Sequence, residues 1–172
     1  MFPGELEKLV AIVRITEQPK VMVEIGCHEG RTAAACLREI LSLERYIGIE
    51  AEPSYRPGLE VQRRETPGRP GHYALADPRF NLMIRPRGSL DIAPADIVAA
   101  DVVFIDGDHS AEAVLHDTAL ARAIVQTGGV VIWHDYGNPN AQVTRVLDDD
   151  VRRGYDISHI EMTWLAFERI GV

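Results

Sequence analysis

A chain of 172 residues, 46% of them apolar, fits one domain with enough interior to bury a sheet core. Its formal net charge of -8 argues against non-specific binding of DNA or RNA, which needs basic surface to engage phosphates. No stretch is long and apolar enough to cross a bilayer, so no membrane partner is expected.

Met1 to Leu6 carries no basic segment followed by an apolar core, so no secretory signal is read and the cytoplasm is the expected location. Pro3 to Thr16 reads as a helix: Pro3 suits a first turn, Glu5 and Glu7 favour a helix start, and Leu6, Leu9, Val10 and Val13 share one face. A β-branched run, Val21 to Ile25, then predicts a buried strand, and the Ala-rich stretch from about Arg31 to Leu43 predicts a helix. Between them lies Gly26-Cys-His-Glu-Gly30. Gly26 supplies a tight turn, and Gly30 lets the backbone come close to something lying over the strand end. Open α/β sheets build nucleotide-type sites at such an edge. Cys27 and Cys36 have no Cys-x-x-Cys partner and form no disulfide framework, so both read as small apolar fillers.

The second strand is Arg45 to Glu50. A carboxylate at its end is placed to hold a ribose diol by two hydrogen bonds, or to be a solvated strand-end acid. From Tyr55 to Arg79 the chain is rich in Pro, Gly and Arg, which predicts a loop interrupted by a short helix, a flap over the site. His72 and Tyr73 in it are within reach of a ligand. The third strand is Phe80 to Ile84, and Ser89 just beyond it is placed for an adenine ring or its neighbours; Leu90 to Ala99 is a short helix or turn. Asp101 to Ile105 is the fourth strand and ends in Asp106-Gly-Asp-His-Ser110. A helix from Ala111 to Val125 follows, then a fifth strand, Val130 to Trp133, ending in His134-Asp135-Tyr136. Val143 to Val151 is helical. Tyr155 to Ile160 and Thr163 to Ile170 read as an antiparallel pair closing a mostly parallel sheet. Alternating strands and helices give an α/β class with three layers.

Glu24, Glu50, Asp106, Asp108 and Asp135 all fall at C-terminal strand edges, where open α/β sheets bind ligands. Acids on neighbouring tips repel, and a cation such as magnesium, manganese or calcium resolves the repulsion. Asp106 and Asp135 are the first choice of metal pair, with Asp108, His109 and His134 second; a hydrogen-bonded turn is the competing account of Asp-Gly-Asp-His. His109 is also the candidate base for a substrate hydroxyl, since an imidazole titrates near neutral pH.

Glu24-Ile-Gly-Cys-His-Glu-Gly30, Glu50, Asp106-Gly-Asp-His109 and Gly128-Gly-Val-Val-Ile-Trp-His-Asp-Tyr136 together resemble a class I S-adenosylmethionine-dependent methyltransferase. More narrowly they resemble the group related to macrolide-sugar O-methyltransferases and cephalosporin-hydroxylase-like proteins. The resemblance implies a Rossmann-like methyltransferase fold, a seven-stranded sheet, over a single domain spanning residues 1–172. It implies that Glu24, Gly26 and Gly30, with Cys27 and His28 between them, shape the pocket for the methionine part of the cofactor. By the same resemblance Glu50 holds the ribose hydroxyls, Gly88-Ser89 borders the adenine, and Asp106 takes part in cofactor binding and catalysis. Asp106 and Asp135 match acids that hold Mg2+, and His109 matches the general base. The implied reaction moves a methyl group to a hydroxyl of a small molecule or sugar.

His28 stands where many methyltransferases have a middle glycine, and the Pro- and Arg-rich link is unlike a helical crossover. With no added domain to cover an acceptor, the acceptor pocket is expected from Arg56 to Arg79, from a second copy in a homodimer, or from a larger partner. Two other readings remain open from the residues: a non-catalytic S-adenosylmethionine-binding subunit and an NAD-type oxidoreductase.

Overall fold

The computed structural model describes residues 4–60, 62 and 67–171. Seven strands form one sheet: β1 (Val21–Ile25), β2 (Arg45–Ala51), β3 (Phe80–Arg85), β4 (Ala100–Ile105), β5 (Val125–Trp133), β6 (Ile157–His159) and β7 (Ala166–Arg169). Their spatial order is β3-β2-β1-β4-β5-β7-β6. The first five run parallel, while β7 is antiparallel to both β5 and β6. The expected mostly parallel sheet with a terminal antiparallel pair is therefore present. Among the described residues no helix is long and apolar enough to cross a membrane.

Alternation along the strands feeds two cores. Met22, Val102, Phe104, Val130 and Ile132 face the helices α1 (Glu5–Val13) and α2 (Arg31–Glu39), which contribute Leu9, Ile12, Val13, Ala33, Cys36 and Leu37. Val23, Ile25, Val103, Ile105, Val131 and Trp133 face α3 (Ala111–Ile124) and α4 (Val143–Arg152). Both faces of the central strands are thus buried, which is why they read as continuous β-branched runs. Arg122 of α3 ties this layer to the sheet edge, donating to Asp150 of α4 at 2.7 Å and to Glu168 of β7 at 2.9 Å.

Several boundaries differ from the sequence expectation, beginning with α1, which ends at Val13 and not Thr16. Helix α2 stops at Glu39, not Leu43, because Ile40 leaves helical geometry (φ -115°, ψ 87°) and both Ile40 and Leu43 turn into the core. Strand β5 starts at Val125, with a register shift opposite Ala100 and Val102 that puts Gly128 in the left-handed region before the regular Val130–Trp133 pairing. The last two strands are shorter than expected, since Ile160 to Leu165 closes as a turn in which Thr163 Oγ1 bonds to the Ile160 carbonyl.

Between β2 and β3 the described residues form turns, with Glu60 and Gln62 in 3-10 geometry within the loop expected to carry a short helix. Gly71 N donates to the His28 carbonyl at 2.8 Å and Tyr73 N to the Glu29 carbonyl at 2.9 Å, fastening this segment to the loop after β1. His72 packs edge-on against Tyr73, whose hydroxyl is bonded by Arg31 of α2. The two side chains are latches and do not line the cleft described next. Residues 61 and 63–66 of the expected flap lie outside the described residues.

Candidate functional site

The C-terminal ends of β1, β2, β4 and β5 open on a cleft of about 570 Å³. Its floor is the loop after β1. Gly26 N and Cys27 N donate to the Ile49 carbonyl at 2.9 and 3.0 Å, so the loop bends across the tip of β2. Gly26 has φ +83°, and a Cβ there would lie 2.3 Å from the Asp106 carbonyl oxygen, so no other residue fits. His28, also left-handed at φ 47°, donates its N–H to Glu50 Oε2 at 2.6 Å, and Ala51 N donates to Glu50 Oε1 at 2.9 Å. Burial pushes the Glu50 carboxyl up against these two bonds. The carboxylate is thereby aimed along the cleft wall with lone pairs to spare.

Beside it, the 3-10 turn Gly88–Asp91 brings Ser89 to the cleft. Next to Ser89 lies Asp117 of α3, a buried acid that His116 contacts and whose carboxyl burial pushes up.

At the other end, Asp106 and Asp135 follow β4 and β5 directly. His134 Nδ1 lies 2.9 Å from Asp135 Oδ2 and 3.2 Å from Asp106 Oδ1. His109 Nε2 lies 3.1 Å from Asp135 Oδ2 and 3.5 Å from Asp106 Oδ1, an ion-pair contact that makes no well-aligned hydrogen bond. Asp135 is held at φ 62°, a conformation costing a non-glycine residue about 1 kcal/mol or more, and Asn138 bonds its second oxygen. Burial pushes Asp106 up, but the His109 and His134 imidazoles beside it outweigh that and hold the carboxyl well below its usual range. Asp135 is lowered in the same way, against its own burial. The imidazoles respond in reverse. Burial draws both down, yet the two acids prevail, raising His109 and pushing His134 up to about 11.

Oxygens of Asp106 and Asp135 and a ring nitrogen of His134 lie within 4.8 Å of one another. Two carboxylates and an imidazole form a donor set that suits a divalent cation, more naturally manganese, iron or zinc than magnesium.

A family model for a methyltransferase domain matches residues 23–136. The chain belongs to this methyltransferase family. That membership bears out the resemblance of the sequence to class I S-adenosylmethionine-dependent methyltransferases. Solved structures with the same fold include the O-methyltransferase NovP (17% identity, TM-score 0.72, 98% of this chain on 80% of that one). They also include the O-methyltransferase TomG from Streptomyces achromogenes, solved in complex with SAM (17%, 0.65, 99% on 82%), and CalS11, a TDP-rhamnose 3'-O-methyltransferase (16%, 0.68, 98% on 80%). No curated protein matches.

In this methyltransferase the sequence-predicted residues divide by position. Gly26, His28, Glu50, Ser89, Asp106, His109 and Asp135 all line the cleft, as does His134. Glu24, Cys27 and Gly30 do not. Glu24 lies beneath the floor, 1% exposed, and accepts the Tyr46 hydroxyl at 2.9 Å. The Cys27 thiol turns into the α1/α2 core, where burial pushes it far up, so only its backbone shapes the loop. Gly30 caps α2, packed under Gly71. Asp108 faces away from the other acids: it accepts Tyr55 Oη, Gly58 N and Ser110 N and so ties the segment after β2 to the cleft rim. Gln62 completes that strap by accepting His109 N at 2.9 Å.

From the sequence Glu5 reads only as a helix-start acid. Its carboxylate reaches His134 Nε2 at 3.2 Å from the other end of the chain, and no local pattern marks it apart from any acid in a helix's first turn.

Two outcomes follow from this geometry. Gly26→Ala forces a Cβ onto the Asp106 backbone and should lower stability by at least about 2 kcal/mol in a urea melt, where an unchanged midpoint would contradict the close approach. Burial raises the Glu24 carboxyl to about 8. The folded chain therefore holds this proton more tightly than the unfolded one. The stabilisation is complete below about pH 4.5 and is lost as pH rises through about 8. Relative to Glu24→Gln, the wild type should lose on the order of 4 kcal/mol across that window, read from melts at several pH values.

Proposed function

We propose that this chain is an S-adenosylmethionine-dependent O-methyltransferase acting on a small hydroxylated acceptor, with a divalent cation held at the Asp106–His134–Asp135 cluster. The single observation that carries this reading is that Glu50 and the acid-imidazole cluster open on the same cleft. Bound S-adenosylmethionine supplies an electrophilic methyl group. Glu50, oriented by the His28 and Ala51 N–H groups, holds the ribose hydroxyls, and Ser89 borders the adenine. The backbone at Gly26 lets the methionine portion lie against the sheet tip.

Acceptor recognition falls to the far end of the cleft, where Asn138, Asn140 and Trp164 line the wall near Asp135. Amide groups beside an aromatic face suit a polyhydroxylated molecule such as a sugar. Asp106, His134 and Asp135 would hold the cation, which when bound would lower the pKa of an acceptor hydroxyl and offset the acid charges that raise His109. His109 then accepts the hydroxyl proton at Nε2. Orientation supplies much of the rate, because the acceptor oxygen must be held in line with the methyl group. Tyr55, Pro57, Gln62 and Pro67 cover the middle of the cleft, and a second copy of the chain in a homodimer completes the cover over the acceptor. The reading carries a cytoplasmic location, with small molecules and no nucleic acid or membrane as partners.

Calorimetry with S-adenosylhomocysteine separates the two ends of the cleft. Glu50→Ala should weaken binding about 10- to 100-fold through loss of charge-assisted hydrogen bonds. Asp135→Asn should leave that affinity within about twofold while lowering methyl transfer to a hydroxylated acceptor panel about 100-fold or more. Full activity of Asp135→Asn would remove the cation role. Tight binding by a wild type that methylates nothing would reduce the chain to a cofactor-binding subunit.

A further inference from the structure

Glu5 is 1% exposed, although it opens a surface helix. A carboxylate buried to that degree is destabilising unless it is paired and hydrogen-bonded. Two of its partners lie far along the chain. Oε1 accepts the backbone N–H of Trp164 at 2.6 Å, from a residue 159 positions along the chain. Oε2 lies 3.2 Å from Nε2 of His134, 129 positions along. Helix capping and dipole stabilisation, the usual tasks of an acid in a first turn, need neither contact. The His134 ring is itself 5% exposed and is edged by Phe104 and Trp164, so it has little freedom to rotate.

We infer that Glu5 is a positioning residue for the site: by accepting the Nε2 proton of His134 it fixes the ring so that Nδ1 faces Asp106 and Asp135. It rests on the cation reading above only for its consequence, which is that Nδ1 is the nitrogen offered to a divalent cation. A carboxylate behind a ligating imidazole sets the ring's orientation and tautomer and raises its basicity. Here that carboxylate comes from α1, outside the segment that defines the family, residues 23–136. The N-terminal helix is thereby part of the site's machinery and not only a cover for the sheet.

The Trp164 contact makes a clean variant available. In Glu5→Gln the Trp164 N–H keeps an oxygen at the Oε1 position, so the amide NH2 faces His134 and donates to Nε2. Nε2 must then accept, and the ring keeps only its Nδ1 proton, facing the two acids. The fold keeps its Trp164 bond, whereas Nε2 changes from donor to acceptor.

The experiment is 15N spectroscopy of the histidine rings in the full chain at pH 7.5, with Mn2+ calorimetry on the same samples. The wild type should show a protonated, hydrogen-bonded Nε2 on His134, and Glu5→Gln should show it unprotonated. Mn2+ affinity should fall about 10- to 100-fold in the variant, with S-adenosylhomocysteine affinity within about twofold of the wild type. A merely structural role would lower the melting temperature without altering the Nε2 signal. An unprotonated Nε2 in the wild type, or identical ring signals in both proteins, would overturn the inference; the first needs no variant at all. A wild type that binds no Mn2+ would remove the cation reading, while the ring signals would still decide the role of Glu5.

Discussion

Two carboxylates on adjacent strand ends cannot both stay charged in a poorly hydrated crevice unless positive groups lie between them. Asp106 and Asp135 stand in that position, and much of the surrounding structure follows from the need to compensate them. His134 and His109 supply the charge from two directions. Asp135 is kept in a left-handed conformation that turns its carboxylate inward, with Asn138 holding the outer oxygen. His134 is held in turn by Glu5, which is anchored on the turn between the last two strands. Helix α1 and the turn between β6 and β7 thus meet at this charged cluster.

The opposite end of the cleft depends on a steric constraint. The loop after β1 crosses the tip of β4 so closely that Gly26 has no room for a side chain. That approach leaves open space above the loop, bounded by Glu50 on β2 and by the turn carrying Ser89. The Glu50 carboxylate and the cluster of Asp106, His109, His134 and Asp135 then face one cavity. On the function proposed above, one end holds the donor and the other activates the acceptor.

Much of this was legible in the sequence where the signal is local. Val21–Ile25 is a strand with the expected limits, because a β-branched run buried on both faces has no other comfortable conformation. The cleft residues at strand ends were found by the same route, since strand order in a parallel sheet puts all C-terminal tips on one edge. Side-chain direction was less accessible. Cys27 and Glu24 sit in the right motif, yet their side chains point beneath the floor, because a left-handed Gly26 turns the backbone over just after Ile25. Asp108 looked like a third acid of the cluster but is consumed by backbone N–H groups of the segment after β2. Glu5 and Gln62 act through contacts with residues far along the chain, and nothing in their neighbours announces a partner.

The most direct measurement is a crystal structure of the full chain grown with S-adenosylhomocysteine and Mn2+. The ribose hydroxyls should lie on the Glu50 carboxylate, the adenine against Ser89, and an anomalous peak should fall among Asp106, His134 and Asp135. A nucleoside bound elsewhere, or a cleft that stays empty at saturating ligand, would contradict the assignment of this sheet edge as a methyl-transfer site.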